Sequence, residues 1–335
     1  EALYLFLLQK REENELSQAF TAYNTRIVTP PHGSMLPTSP VRKNIFMVAF
    51  ALGLLIPIVI IFMRENMNTR VRGRKDLESV TVPFIGEIPL FTRKKKRIFG
   101  KKPQEVKAVV VKEGNRDIIN EAFRVLRTNL EFMTGKDKTS NVIIMTSFNP
   151  GSGKSFLTMN IAMSLAIKGK KVLVIDGDLR HASASSYIDS PDKGLSDYLG
   201  GRIDNLDEII VPDPKHKSMD ILPVGTIPPN PTELLFDERL KQTIDTVREQ
   251  YDYVLIDCPP VELVADTQII EKLADRTIFV VRAGLLERSM LSELEKIYDE
   301  KKYKNMSLIL NGTEGSGGRY GYRYGYRYGY HYGYG

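Results

Sequence analysis

The sequence predicts an α/β fold: a doubly wound, mostly parallel sheet preceded by a transmembrane helix. Three observations carry that expectation. Short apolar runs end either in a glycine-rich loop (Val142–Thr146) or in aspartates (Lys171–Ile175 before Asp176, Tyr253–Ile256 before Asp257). Apolar residues at helical spacing separate these runs, as in strands joined by crossover helices. Far upstream, Asn44–Met63 holds no charge over twenty residues, enough for about 30 Å of helix.

Along the 335-residue chain, the first stretch, Leu3–Ala19, repeats Leu5, Leu8, Glu12, Leu16 and Ala19 at helical spacing, with a polar Gln9–Asn14 face suited to solvent or a coiled coil. The missing initial Met suggests a fragment of a longer protein. Pro30, Pro31, Pro37 and Pro40 then break the helix and form a stiff connector, so residues 1–43 read as the end of an extracytoplasmic region. Residues 44–63 are the membrane span; Gly53 and Pro57 are tolerable there, and a buried core helix is the competing reading. Residues 64–104 read as a basic juxtamembrane linker, with Arg64, Arg70, Arg72, Arg74, Lys75, the run Arg93–Arg97, Lys101 and Lys102. By the positive-inside rule this side faces the cytoplasm. The stretch can lie on anionic headgroups, at about 1 kcal/mol per well-placed cation, or stay a solvated linker. The net charge of +6 is concentrated here and in the tail. One cysteine, Cys258, excludes an internal disulfide and multi-Cys metal sites, and reads as a small core residue.

Residues 105–314 form the chemical domain. After the first strand comes Ser147-Phe-Asn-Pro-Gly-Ser-Gly-Lys-Ser155 and then a helix, the context of a phosphate loop. Glycines let successive N–H groups turn toward phosphate oxygens, and the helix adds its positive N-terminal end. Pro150, Gly151, Ser152, Gly153, Lys154, Ser155 and Phe156 are the expected nucleotide-binding residues. Lys154 is placed for the β- and γ-phosphates and the Ser155 hydroxyl for Mg²⁺; the motif's usual first glycine is replaced by Phe148. Asp257 is a candidate Mg²⁺ acid. The pair Asp176 and Asp178 can divide the work, one acid on the metal and one accepting a proton from a nucleophile. Asn311, after the apolar run Met306–Leu310, reads either as an adenine contact or as a turn residue before Gly312. His181 reads as a loop residue near the substrate.

Residues 315–335 hold eight tyrosines, half of the chain's sixteen: Tyr320, Tyr322, Tyr324, Tyr326, Tyr328, Tyr330, Tyr332 and Tyr334. Glycine at every fourth position argues against packed structure, so the tail is expected to be disordered. It reads as a phospho-acceptor array, each site adding about −2 of charge, or as a low-complexity strip that stacks on a partner or on nucleic acid.

Together, Pro150–Ser155, Val174-Ile-Asp-Gly-Asp-Leu-Arg180 and Leu255-Ile-Asp-Cys-Pro-Pro260 resemble the bacterial tyrosine kinases of capsule and exopolysaccharide export, relatives of the MinD/ParA branch of P-loop ATPases. Glu121, Arg124 and Arg127 resemble that family's E-x-x-R-x-x-R-x-N helix, Gly225–Leu235 its loop before the Walker B strand, and the tail its autophosphorylation cluster. The resemblance spans residues 26–335 and is to the single-chain co-polymerase type. It implies ATP and Mg²⁺ as cofactors, with Ser155, Asp178 and Asp257 at the metal. Lys154, Asp176 and Asp178 are then catalytic, with Asp176 as the general base in a split that could be reversed. Glu121, Arg124 and Arg127 would serve oligomerisation, an ordinary salt-bridged surface being the competing reading. The implied partners are a homo-oligomeric ring, the neighbouring subunit's tyrosine tail, the inner membrane, the export machinery and a tyrosine phosphatase, with no nucleic acid. The implied place is the bacterial plasma membrane with a cytoplasmic kinase domain. Rival readings are an ATPase assembly switch and a structural chain-length regulator.

Overall fold

The computed structural model describes residues 2–20, 33, 41–91, 108–135, 140–214, 216–261 and 265–314, without the side chains of 64–66. The chain divides into two units, 1–67 and 68–335. The first contains helices α1 (Ala2–Phe20) and α2 (Arg42–Asn66). Within α2, Arg42–Met63 is long and apolar enough to cross a membrane, with a mean hydropathy of 3.0 and none of it buried. Pro57 lies inside this helix.

The second unit is built on one eight-stranded sheet. Its strands are β1 (Phe84–Pro89), β2 (Val142–Thr146), β3 (Val172–Asp176), β4 (Val211–Pro212), β5 (Met219–Leu222), β6 (Tyr253–Asp257), β7 (Arg276–Arg282) and β8 (Ser307–Thr313). Their order is β1-β8-β7-β2-β6-β3-β5-β4, parallel throughout except for β4 against β5. The helices are α3 (Ile118–Thr134), α4 (Lys154–Ile167), α5 (Leu195–Leu199), α6 (Pro231–Leu235), α7 (Glu238–Gln250), α8 (Asp266–Glu271) and α9 (Met290–Asp299). This is the doubly wound sheet the sequence predicts. Every residue of β2 is buried, and its side chains alternate between two cores: Val142 and Ile144 join one, with Leu240, Ile269 and Leu294; Ile143 and Met145 join the other, with Phe123, Leu126 and Leu157. That period of two with both faces covered explains why the strands read as unbroken apolar runs.

The structure corrects the boundary of the chemical domain. Residues 68–91, assigned to the basic linker, are part of the folded unit. β1 pairs with β8 at the sheet edge, and Val71, Leu77, Val82, Ile85 and Ile88 are buried. Asp76 pairs with Arg288 at 2.9 Å, and Val71 exchanges backbone hydrogen bonds with Leu286 and Gly284. Charge density drew attention to the arginines; the buried apolar residues among and after them, Val71, Leu77, Val82, Ile85 and Ile88, decide the structure. The run Arg93–Arg97 lies outside the described residues, as does the tyrosine tail.

Candidate active site

The phosphate loop leaves β2 at Ser147 and enters α4 at Lys154. Two glycines make its path possible: Gly151 at φ +74° and Gly153 at φ +88° occupy backbone conformations that a side chain would strain. At Gly153 a Cβ would also collide with the Asn311 amide nitrogen. The loop braces itself through Ser147 and Ser152, whose hydroxyls both donate to the Asn149 carbonyl, at 2.8 and 2.7 Å. Phe148, where the motif usually has glycine, is buried edge-on against Phe279 of β7, with centroids 4.8 Å apart. The departure replaces backbone freedom with a core anchor. Lys154 is buried, its Nζ 3.3 Å from the Ser147 hydroxyl. Burial holds its pKa below the usual lysine value, while the charges of Asp257 and Asp178 pull it up.

The three acids meet because β3 and β6 are neighbours with Asp176 opposite Asp257. Gly177 lets the chains approach: its N–H donates to the Asp257 carbonyl at 2.9 Å, and a Cβ there would lie 3.0 Å from Ile256. Asp176 is fully buried, and its Oδ2 accepts from the Ser185 N–H and hydroxyl, both at 2.7 Å. Its Oδ1 accepts from the Asp178 N–H at 3.3 Å. Burial raises its pKa to about 6 against the pull of those Ser185 bonds. Asp257 is more extreme: both carboxylate oxygens are buried with no hydrogen-bond partner among the described residues. Burial, then the charge of Asp176, push it up to about 8, with Ser155 and Lys154 acting the other way. Two orphaned hard oxygens beside the Ser155 hydroxyl are a donor set suited to Mg²⁺, which takes few protein oxygens and leaves positions for phosphate and water. Asp178 is buried but lines the cleft, its Oδ1 within 3.2 Å of both the backbone N–H and the Nδ1 of His181.

These elements bound a cleft of about 420 Å³. Of the expected residues, Pro150, Gly151, Gly153, Lys154, Ser155, Phe156, Asp178 and Asn311 line it, and so does His181. Ser152, Asp176 and Asp257 are buried and do not line it. Asn311 is a strand residue of β8, which corrects the turn reading, and its Nδ2 donates to the Ser152 carbonyl at 2.8 Å. Cys258 is buried, and burial pushes its thiol up, as suits a core residue.

Several participants were missed. Arg282, at the end of β7, donates from Nη1 to the Gly151 carbonyl at 2.7 Å. The signal was available: it ends an apolar run, as Asp257 does. Ser185 holds Asp176 through a contact that local sequence does not announce. Arg180 ties the acidic loop to the Gly225–Leu235 stretch: its Nε lies 3.0 Å from the buried Asp266 carboxylate and its Nη2 3.0 Å from the Thr232 hydroxyl.

On α3, Arg124 pairs with Glu121 and donates to the Asn115 carbonyl at 2.7 Å. Arg127 donates to the Ser164 carbonyl on α4 at 2.9 Å, and its Nε is buried without a partner among the described residues. Arg127 therefore joins two helices within the chain, which a surface ion-pair reading does not anticipate. The tail tyrosines, Tyr320 through Tyr334, lie outside the described residues.

A glycine-bent loop at a helix N-terminus, with acids from two adjacent strands, at the carboxyl edge of a parallel sheet, defines a P-loop nucleotide-binding protein. Residues 140–309 match the family described as an AAA domain, and the chain belongs to that family. Its homologues are tyrosine-protein kinases. It is 30% identical over 322 residues to the tyrosine-protein kinase etk of Escherichia coli K12, covering 93% of this chain and 44% of that protein. It is likewise 30% identical over 318 residues to the tyrosine-protein kinase wzc of Salmonella typhimurium, covering 92% and 43%. Among solved structures, the kinase domain of Escherichia coli ETK superimposes with a TM-score of 0.64 at 28% identity, covering 79% of this chain and all of that one. The chain thus spans less than half the length of these curated relatives.

Proposed function

We propose that this chain is an ATP-dependent protein-tyrosine kinase that phosphorylates the C-terminal tyrosine cluster of a neighbouring subunit and thereby regulates capsular or exopolysaccharide polymerisation and export. The single observation that carries the reading is the Asp257 carboxylate, buried with no well-aligned donor among the described residues other than the nearby Ser155 hydroxyl, beside Lys154 and two further acids. Such a group is stabilised by a cation, and a perturbed buried acid at a cleft marks a candidate functional site.

In this mechanism the phosphate loop and Lys154 hold Mg·ATP and neutralise charge as it develops on the transferred group. Ser155, Asp178 and Asp257 would hold Mg²⁺, which would supply positive charge against the negative charge of the phosphates. The tyrosine oxygen forms a bond to the γ-phosphorus as the bond to the bridging oxygen of ADP breaks. The phenolic proton passes to Asp176, whose pKa of about 6 leaves it mostly ionised at neutral pH. Its Oδ2 is occupied by Ser185, so Oδ1, with one long hydrogen bond, is the accepting atom. Asp176 is buried and does not line the cleft, so the binding of tyrosine must bring Oδ1 into contact.

The helix at 44–63 would anchor the chain in the bacterial inner membrane, with the nucleotide unit cytoplasmic. Glu121, Arg124 and Arg127 would support a ring of copies, in which a tethered tail of eight tyrosines has a high effective concentration at the next active site. The export machinery and a tyrosine phosphatase complete the proposed partners. The test is incubation with γ-labelled Mg·ATP: wild type should label its own tail, and Lys154→Met should lose at least about a hundredfold of that rate. Labelling of the variant near the wild-type rate would remove Lys154 and the loop from the mechanism.

A further inference from the structure

A trans peptide carries its C=O and its N–H on opposite sides, so fixing one fixes the other. Two consecutive peptides of the phosphate loop are fixed in this way by side chains from outside the motif. The Gly151 carbonyl accepts from Arg282 at 2.7 Å, and the Ser152 carbonyl accepts from the Asn311 amide at 2.8 Å. The N–H groups on those peptides belong to Ser152 and Gly153. Arg282 and Asn311 are register partners on the adjacent strands β7 and β8, so the two contacts come from one rigid edge of the sheet. The approach is close enough that Gly153 has no room for a Cβ beside the Asn311 amide.

We infer that Arg282 and Asn311 form a paired clamp that turns the Ser152 and Gly153 N–H groups toward the bound phosphates. They are positioning residues: they act through the loop's backbone and do not read the base. The inference rests on the loop being a phosphate cradle, and it holds whether the bound nucleotide is used for tyrosine phosphorylation or for hydrolysis alone. It gives Asn311 a role other than the adenine reading, with one of its two amide N–H groups spent on the Ser152 carbonyl. The clamp makes the conformation of the cradle independent of ligand, which spares the ordering that a free glycine-rich loop would undergo on binding.

The experiment uses the full 335-residue chain in detergent and displacement of a fluorescent ADP by Mg·ATP, Mg·GTP and Mg·tripolyphosphate. Asn311→Ala should weaken all three probes by one common factor, about three- to tenfold for a neutral hydrogen bond, and Arg282→Ala by about tenfold or more for a charged one. The double variant should lose less than the product of the two factors, because either contact restrains the same loop. Arg282→Lys should recover part of the loss with a single donor. Asn311→Leu is nearly isosteric, neutral and cannot donate; it should behave as Asn311→Ala, and it serves as the reading if the alanine variant lowers the melting temperature. Loss confined to Mg·ATP, with Mg·GTP and Mg·tripolyphosphate unchanged, would make Asn311 a base reader and overturn the clamp. Wild-type affinity for all three probes in folded variants would overturn it as well.

Discussion

Replacing Asp257 with Asn should stabilise the ligand-free protein while removing its response to Mg²⁺. The Asp257 carboxyl moves from 3.8 in an exposed chain to about 8 in the fold, because burial and the Asp176 charge disfavour ionisation. Between those values the folded state binds a proton that the unfolded state has lost. Folding at pH 7 is then opposed by about three units of proton affinity, roughly 4 kcal/mol. An Asn carries no such penalty, although its amide has unmet hydrogen bonds in the same pocket. A net gain of about 2 kcal/mol remains, or roughly 4–8 °C in melting temperature for a unit of this size. The sign with pH follows from the raised pKa. Wild-type stability in EDTA should fall as pH rises from about 4 to 8, by up to about 1.4 kcal/mol per unit, and the advantage of Asp257→Asn should grow over the same range. Asp176, raised to about 6, adds to the slope below that pH. Differential scanning calorimetry with and without Mg·ADP is the assay. A variant that melts below wild type at pH 7.5 in EDTA would refute the reasoning, since Asp257 would then be held by partners that its isolation denies.

The other expectations concern neighbouring groups. Asp176→Asn and Asp178→Asn should both cripple transfer, the first flattening the rise of rate with pH and the second raising the Mg²⁺ requirement; steady-state kinetics against pH and metal separates them. Arg180→Ala should leave the buried Asp266 carboxylate with only the Thr232 hydroxyl, destabilising the unit by about 1–3 kcal/mol because Arg180 itself is 37% exposed, which urea unfolding measures. Changing Glu121, Arg124 and Arg127 together to Ala should yield smaller assemblies with poor tail phosphorylation in light scattering. Arg127→Ala alone should also lower the melting temperature, because it frees the Ser164 carbonyl of α4.

What the sequence made legible has a local cause. A strand followed by a glycine-rich loop and a helix, or a strand ending in aspartate, is a contiguous pattern, so β2, β3, β6, Lys154 and the three acids were all in reach. The sheet then did what its topology requires, placing Asp176 across from Asp257. What stayed hidden depends on partners distant in the chain. Asn311 finds Ser152 across 159 positions and Arg282 finds Gly151 across 131. Ser185 silences one oxygen of Asp176, and of two acids that look alike in sequence only Asp178 lines the cleft. β1 was obscured because an edge strand flanked by arginines has the composition of a linker, and only its pairing with β8 distinguishes the two.

The claim at the centre is that the γ-phosphoryl group goes to a tail tyrosine of another copy. The direct measurement mixes a Lys154→Met chain carrying the full tail with an active chain truncated after Glu314, adds Mg·ATP, and maps phosphate by mass spectrometry while inorganic phosphate is followed in parallel. The account predicts phosphotyrosine among Tyr320–Tyr334 of the Lys154→Met chain, present only in the mixture. Steady release of inorganic phosphate with those tyrosines unmodified would contradict it, and would leave the site as a nucleotide hydrolase whose tail has another use.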